Sequence, residues 1–468
     1  MKAVRRLLVL SYHFPPDGAV GGLRWSGLSK YLARRGWEVH VVTAAKQSEP
    51  PPPGVVVHHA PAASTLNDLY NAAAKRLRTR ATIPALPVPA GSQQSANDSR
   101  PTASWMHRLF MSVRRNISAL LAFPDYAGGW ILPATRTARA LLDQYSFNAV
   151  VSSGPPHSAH VAGALACGLK NGILTVDMRD PWAGLIETEW EKSGYGSNLT
   201  RWMTRRLEHM IFGRARSIVT NTTEHAADVQ RDYPSARVAF ISNGIDYERL
   251  PAPAADKFDG LSIAYAGTLY LGRDLSPVII GMRQFLERYP AARGALRLRL
   301  AGSMEAGLES KFRGEVAAAN LQKAVETLGL VSRHEAMELI NRSHLTLVLA
   351  QDQPTQIPAK IYESVGLGIP TLVIAEPMSA AAREADRIGA WTCDAQDTDA
   401  IASIIARIWL DRSLRAAAAT PIGYDSIAGQ MDALLRSSSD ECAPRSNAAV
   451  DRASTTPESG SIREVADG

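Results

Sequence analysis

At 468 residues with 46% hydrophobic side chains, the chain is long enough for two or three domains, each with its own core. A formal charge of +6 favours anionic partners such as nucleotides, phosphates or acidic lipid, and the lack of zinc-finger spacing or an aromatic-basic platform argues against nucleic acid. Cys167, Cys393 and Cys442 have no metal or redox spacing, which suggests a reducing cytoplasmic compartment, and no apolar run reaches the length of a bilayer-spanning helix.

Strand and helix signals alternate from the start. Leu7–Tyr12 reads as a buried strand rather than a signal peptide, because Tyr12-His13-Phe14-Pro15-Pro16 interrupts the apolar run. Leu23–Arg35 has helical periodicity and stops at Gly36, and Val39–Thr43 is the next strand. That is a βαβ unit, hence a parallel sheet covered by helices. Ala149–Ser153, a helix from His157 and Ile173–Asp180 repeat it. Ser217–Asn221, a helix from Thr222 and Val238–Ser242 repeat it again.

The turn Asn243-Gly244-Ile245-Asp246 and the Pro-Ala stretch Pro251–Ala255 mark an interdomain linker. Beyond it, strands at Leu261–Tyr265, Leu296–Leu300, Leu345–Leu349, Thr371–Ile374 and Ala390–Cys393 build a second α/β series. The predicted fold class is therefore α/β, two doubly wound Rossmann-like halves meeting near residue 245. The first domain spans 1–245 with an irregular insertion at about 48–130, and the second spans 246–410. Helices are expected over 411–436 and a disordered tail over 437–468. Basic residues cluster at Lys75–Arg80, along the amphipathic Trp105–Arg115, and at Arg201, Arg205, Arg206, Arg214 and Arg216.

Ligands of such sheets bind at the carboxyl ends of strands, so the segments after each strand carry the candidates. After the first strand comes Gly21-Gly22, which opens a helix and lets backbone approach an anion. A Gly-x-Gly-x-x-Gly fingerprint is missing there, which demotes a dinucleotide site. Ser153-Gly154-Pro155-Pro156-His157 enters the next helix, and a neutral His157 could bond a substrate hydroxyl. His157 and His160, one turn apart with no carboxylate nearby, are weak evidence for a metal. Arg179 and Asp180 end the following strand, where they bind ligand or pair with each other to orient the turn. In the second half, Gly267 permits close backbone approach, and Arg273 follows as a cation for a diphosphate.

Ile357–Thr371 is the most informative stretch. Pro358 suits the first helical turn, and Gly366 and Gly368 suit its end. Lys360 and Glu363 lie three apart on one face, near free N–H groups that suit a phosphate. A cation and a hydroxyl acceptor one turn apart describe a nucleoside diphosphate-sugar site; a surface ion pair is the other reading. Asp397-Thr398-Asp399 has the letters of a metal-binding Asp-x-Asp, yet it directly precedes an amphipathic run and reads as a helix N-cap.

Taken in order, these pieces resemble the retaining family 4 glycosyltransferases of the GT-B fold over about residues 5–435. The resemblance implies that Lys360 and Arg273 hold the donor diphosphate, Glu363 the ribose hydroxyls, and Gly21 and Gly22 the diphosphate or sugar. It places His157 at the donor sugar, the base beside Val331, and the helices of 411–436 back on the acceptor-side first domain. It implies transfer with retention and without a metal or other cofactor, the nucleoside diphosphate-sugar being a co-substrate. The acceptor would be a glycan or polyprenyl-linked sugar of surface polysaccharide or lipopolysaccharide assembly, met in the cytoplasm at an anionic membrane surface. One departure stands out. Where the family often has the first Glu of Glu-x7-Glu, this chain has Thr355, followed by Gln356. A catalytically inactive nucleotide-sugar-binding homologue, or another GT-B enzyme such as an epimerase, is the competing reading.

Overall fold

The structure is a computed structural model that describes residues 4–16, 20–48, 50–65, 68, 120, 123–183, 198–270, 272–416 and 421–440. Lys75–Arg80, Trp105–Arg115, Cys442 and the tail beyond residue 440 lie outside the described residues.

Two parallel sheets carry the fold. The first contains β1 (Arg5–Ser11), β2 (Trp37–Thr43), β3 (Val55–His59), β4 (Ala149–Gly154), β5 (Leu174–Met178), β6 (Ser217–Thr220) and β7 (Val238–Phe240), in the order β3-β2-β1-β4-β5-β6-β7. The second contains β8 (Leu261–Ala266), β9 (Leu296–Ala301), β10 (Val325–Gly329), β11 (Leu345–Leu349), β12 (Thr371–Ile374) and β13 (Trp391–Cys393), in the order β10-β9-β8-β11-β12-β13. Central strands such as β4 and β8 are buried at every position, as a sheet covered on both faces requires. Strand order reverses between β1 and β4 and between β8 and β11, so each sheet opens a crevice there at its carboxyl edge.

Two strands depart from expectation. The insertion expected to be irregular holds β3, which pairs with β2 from Val39↔Val55 to Thr43↔His59. Three consecutive valines supply the β-branched side chains, and the prolines at 50–53 ahead of them hid the signal. β10 is an edge strand with mostly exposed side chains, so it carries no apolar alternation to read.

Each sheet packs a core on both faces. The helix Leu23–Arg34 places Trp25, Leu28 and Leu32 in one of them and ends at Gly36, whose φ of 89° only glycine adopts without strain. The last described helix, Tyr424–Asp440, sets Ile427, Met431 and Leu435 into that same core at a spacing of four. Each of these buried side chains contributes about 1.5–3 kcal/mol. The chain's two crossings between the sheets are pinned to each other. Ile245 N donates to Ile422 O at 3.1 Å, and Tyr424 N donates to Ile245 O at 2.9 Å. Gly244 has to be glycine there, because a Cβ would lie 2.3 Å from Ile422 O.

Candidate active site

In the second half two cations, Lys360 and Arg273, make no ion pair among the described residues. Lys360 opens the helix Lys360–Gly366 below the crevice between β8 and β11. Its Nζ lies where a Cβ on Gly267 would come within 2.2 Å, and 5.9 Å from the centroid of the Tyr265 ring. Among the described residues the ammonium has no hydrogen-bonded or ion-paired partner. Burial, with the charge of Arg273 adding to it and Glu363 opposing, pulls its pKa down to about 8. Arg273 stacks on Tyr270 at 4.5 Å, and its Nε is buried without a hydrogen bond. Two close cations raise each other's free energy, and an anion between them relieves both.

The helix itself contributes less than its pattern promised. It has only seven residues, and the amides of Ile361 and Tyr362 donate back to Pro358 and Ala359 carbonyls at 3.1 and 3.2 Å. Fewer free N–H groups are thus left for a phosphate, and the charge comes chiefly from Lys360. Gly366 is not the cap either. Gly368 takes the positive φ of 71°, whereas a Cβ on Gly366 would strike Ile245 Cδ1 at 2.4 Å. Glu363 Oε1 accepts from an Arg333 guanidinium at 2.5 Å. Arg333 starts a helix capped by Ser332, so the loop of Val331 is tied to Glu363. Val331 itself packs against the cluster containing Ala264 and Leu367.

The first sheet faces this with backbone and imidazole. Gly21 and Gly22 end a short turn, Val20–Gly22, that leads into the helix Leu23–Arg34. Arg179 does more than feel the charge of Asp180. Its guanidinium donates to Gly21 O at 2.8 Å, to Gly154 O at 3.2 Å and to Pro155 O, clamping the loops after β1 and β4 together. A Cβ on Gly21 would lie 2.9 Å from that guanidinium, which explains the glycine. Burial pushes the Asp180 carboxyl up, while Arg179 and then Arg273 oppose it. Arg273 of the second sheet thus stands within electrostatic reach of the first crevice.

His157 precedes the helix Ser158–Ala166 and stacks on Trp182, ring centroids 5.0 Å apart at 13°. Burial holds its pKa well below the ordinary value, so the ring is neutral, and its Nδ1 is buried without a hydrogen bond. His160 packs behind it, bonded through Nδ1 to Ser152 Oγ at 2.9 Å. Among the described residues no group of three or more His, Cys, Asp or Glu is placed to hold a metal ion. Asp397 accepts from Ala400 N at 2.9 Å as the cap of Thr398–Leu410.

Some contributors lie outside the residues that sequence reasoning singled out. The Gln351 amide bonds Asp274 N at 3.0 Å and Asp274 O at 2.9 Å, fixing the loop that carries Arg273. Thr222 Oγ1 donates across the cleft to Thr355 O at 2.8 Å. Thr355 is thus engaged through its backbone, and Gln356 N turns back to Gln353 O at 3.4 Å. Behind the first crevice, Arg24 Nε bonds both Asp177 oxygens at 3.1 and 3.2 Å. These pairs join residues 77 to 153 positions apart, which no local pattern encodes.

Residues 21–244 match the family described as glycosyl transferase 4-like domain. Those residues carry that domain. The matched residues are those of the first sheet from its Gly21 loop to the linker, and the second sheet completes the GT-B architecture. No curated protein matches the sequence. Among solved structures, sucrose-phosphate synthase from Thermosynechococcus elongatus has a TM-score of 0.58 at 15% identity over 92% of this chain and 98% of its own. The UDP-forming trehalose-phosphate synthase from Burkholderia xenovorans also scores 0.58, at 14% identity over 92% of this chain and 100% of its own. HepE from Anabaena, solved with UDP and glucose, scores 0.52 at 14% identity over 93% and 98%. At these identities the likeness is one of fold, and this chain shares the two-sheet plan. No described helix is long and apolar enough to cross a membrane.

Proposed function

We propose that this glycosyltransferase moves a sugar from a nucleoside diphosphate-sugar to a glycan or polyprenyl-linked acceptor, with retention and without a metal. The observation that carries the reading is the unpaired Lys360 ammonium beside Gly267, with Arg273 close by: a half-buried double cation waiting for a diphosphate. HepE, which binds UDP and glucose on the same fold, supports a uridine nucleotide. Glu363, oriented by Arg333, receives the ribose hydroxyls.

In this reading the acceptor hydroxyl attacks the anomeric carbon from the face the diphosphate leaves. The bond from that carbon to the diphosphate oxygen breaks, and the acceptor proton passes to the departing diphosphate. Lys360 and Arg273 neutralise the charge that develops on it. Neutral His157 bonds a donor-sugar hydroxyl through its ring. Closure of the two domains excludes water.

The acceptor belongs to surface polysaccharide assembly at the cytoplasmic face of a membrane. The helix Asn198–Phe212 supports such contact: Leu199 and Trp202 are exposed, with Arg206 over the Trp202 ring at 5.7 Å. Flotation with anionic liposomes checks this arm, and protein left in the soluble fraction at low salt contradicts it.

A thermal-shift panel of uridine, guanosine and adenosine diphosphate-sugars identifies the donor, and proton NMR of the product's anomeric signal reads the stereochemistry. Retention is expected. Inversion contradicts the mechanism, and donor binding with neither transfer nor hydrolysis selects the inactive homologue.

A further inference from the structure

The mouth of the first crevice holds an aromatic ring that the donor reading leaves unused. Tyr126 is 66% exposed, while Trp130 four residues on is fully buried. An exposed tyrosine is usually free to rotate, but this one is fixed from several sides. Its hydroxyl lies 2.8 Å from His13 Nε2. Tyr12 meets its ring edge-on at 6.0 Å and 90°, and Tyr12 in turn stands edge-on to Trp130 at 5.4 Å. The backbone beneath is fixed as well. Asp125 accepts from Ser158 N at 2.8 Å, from Ser158 Oγ at 2.6 Å and from Ala127 N at 2.9 Å. Tyr126 is therefore mounted on the start of the helix that follows His157.

Its surroundings are those of the reacting centre. His13, which holds the hydroxyl, lies where a Cβ on Gly21 would come within 3.1 Å of its ring. Arg179, which clamps the Gly21 loop, lies within electrostatic reach of the Tyr126 hydroxyl. The ring thus stands over the Gly21 loop, on the domain opposite Lys360 and Glu363.

A rigid, solvent-facing aromatic face is a poor device for stability, since burying it would gain more. It is a good device for a ligand with an apolar face and polar edges, because its rotamer freedom is already spent. A pyranose ring has that shape: axial C–H groups on one face and hydroxyls at the rim. We propose that Tyr126, held by His13 and Tyr12, is the stacking platform for the acceptor's sugar ring. The assignment to the acceptor rests on the proposed transfer reaction, whose donor is held by the other domain. His13 sets the angle of the platform through the phenol oxygen and is a positioning residue.

The test is saturation-transfer NMR on the full chain with UDP bound, using octyl glycosides of glucose, galactose, mannose and N-acetylglucosamine as probes. The account expects transfer from aromatic protons to one face of at least one probe. Y126F keeps the ring but loses its bond to His13, so transfer persists at weaker affinity; Y126A weakens probe affinity about tenfold. The UDP-induced rise in melting temperature stays the same in both variants, which shows that they fold. Equal probe affinity in Y126A, or no transfer from the wild type to any probe, overturns the platform. Failure of UDP to bind the wild type would instead overturn the donor reading, so the two failures are distinguishable.

Discussion

Arg24 in the first domain and Lys360 in the second are both cations taken from water, and their surroundings are opposite. Arg24 is 2% exposed and fully engaged. Besides Asp177 it donates to Ser242 O at 2.8 Å, Asn243 Oδ1 at 3.0 Å and Ile241 O at 2.9 Å. Asp177 is completed by Trp25 Nε1 and Ser153 Oγ, each at 2.8 Å. Burial pushes the Asp177 carboxyl up, but Arg24 and these donors outweigh it and hold it below the ordinary range. Lys360 is only half-buried, has Gly267 and Tyr265 beside it and, among the described residues, makes no ion pair; Glu363 reaches it only through its charge. A buried charge whose every donor is engaged is scaffold, here joining the helix Leu23–Arg34, β5 and the linker. A half-buried charge left without a bonded counterion is a site awaiting one.

The largest effect expected from this contrast is on Arg24. Arg24→Met strips the partner from a buried carboxylate and costs about 3–5 kcal/mol in urea unfolding. A cost below about 1 kcal/mol would mean the pair is not structural. In the wild type the stabilisation by Asp177 is present above the usual carboxylate pKa and is lost as pH falls, because its folded pKa is depressed.

Lys360→Ala is expected to behave the other way. Transfer falls about 10²–10³-fold at saturating donor while the urea midpoint holds or rises. Near-normal turnover would remove Lys360 from the donor site, and an unfolded variant would make it scaffold after all.

Gly267→Ala sharpens the same point with a single methyl group. A Cβ 2.2 Å from the Lys360 nitrogen must displace it, so nucleotide affinity drops about tenfold with the fold intact. Unchanged affinity would show that the close approach is incidental.

Thr222→Val, which removes the hydroxyl reaching Thr355 O, is expected to cost about 1 kcal/mol. It acts mainly on kcat, through domain closure. An effect confined to KM would show instead that the contact serves donor binding.

How much of this was legible in the sequence follows from the range of the interactions. Alternating buried strands and helices are local patterns, so the two parallel sheets read directly. β3 and β10 did not, one hidden behind prolines and the other lacking a buried face. Gly267, Arg273 and Lys360 were readable because each follows a strand at the carboxyl edge of the sheet. Their partners were not. Arg333 meets Glu363 across 30 residues and Gln351 fixes the Arg273 loop across 77, so only the folded sheet brings them together. At the start of the helix Lys360–Gly366 the pattern could not show that the amides of Ile361 and Tyr362 turn back to the carbonyls of Pro358 and Ala359.

The pKa of Lys360 gives the most direct test. Its folded pKa, about 8, lies below the ordinary lysine value of 10.5. Between those values the unfolded chain binds more protons, so the stability of the free protein rises with pH across that window. A bound diphosphate reverses the shift by favouring the charged ammonium. Calorimetry of UDP binding at pH 8.5 in buffers of different ionisation enthalpy should therefore report uptake of roughly three quarters of a proton, absent in Lys360→Arg. Binding with no proton uptake by the wild type would contradict the claim that Lys360 is the waiting cation of the donor site.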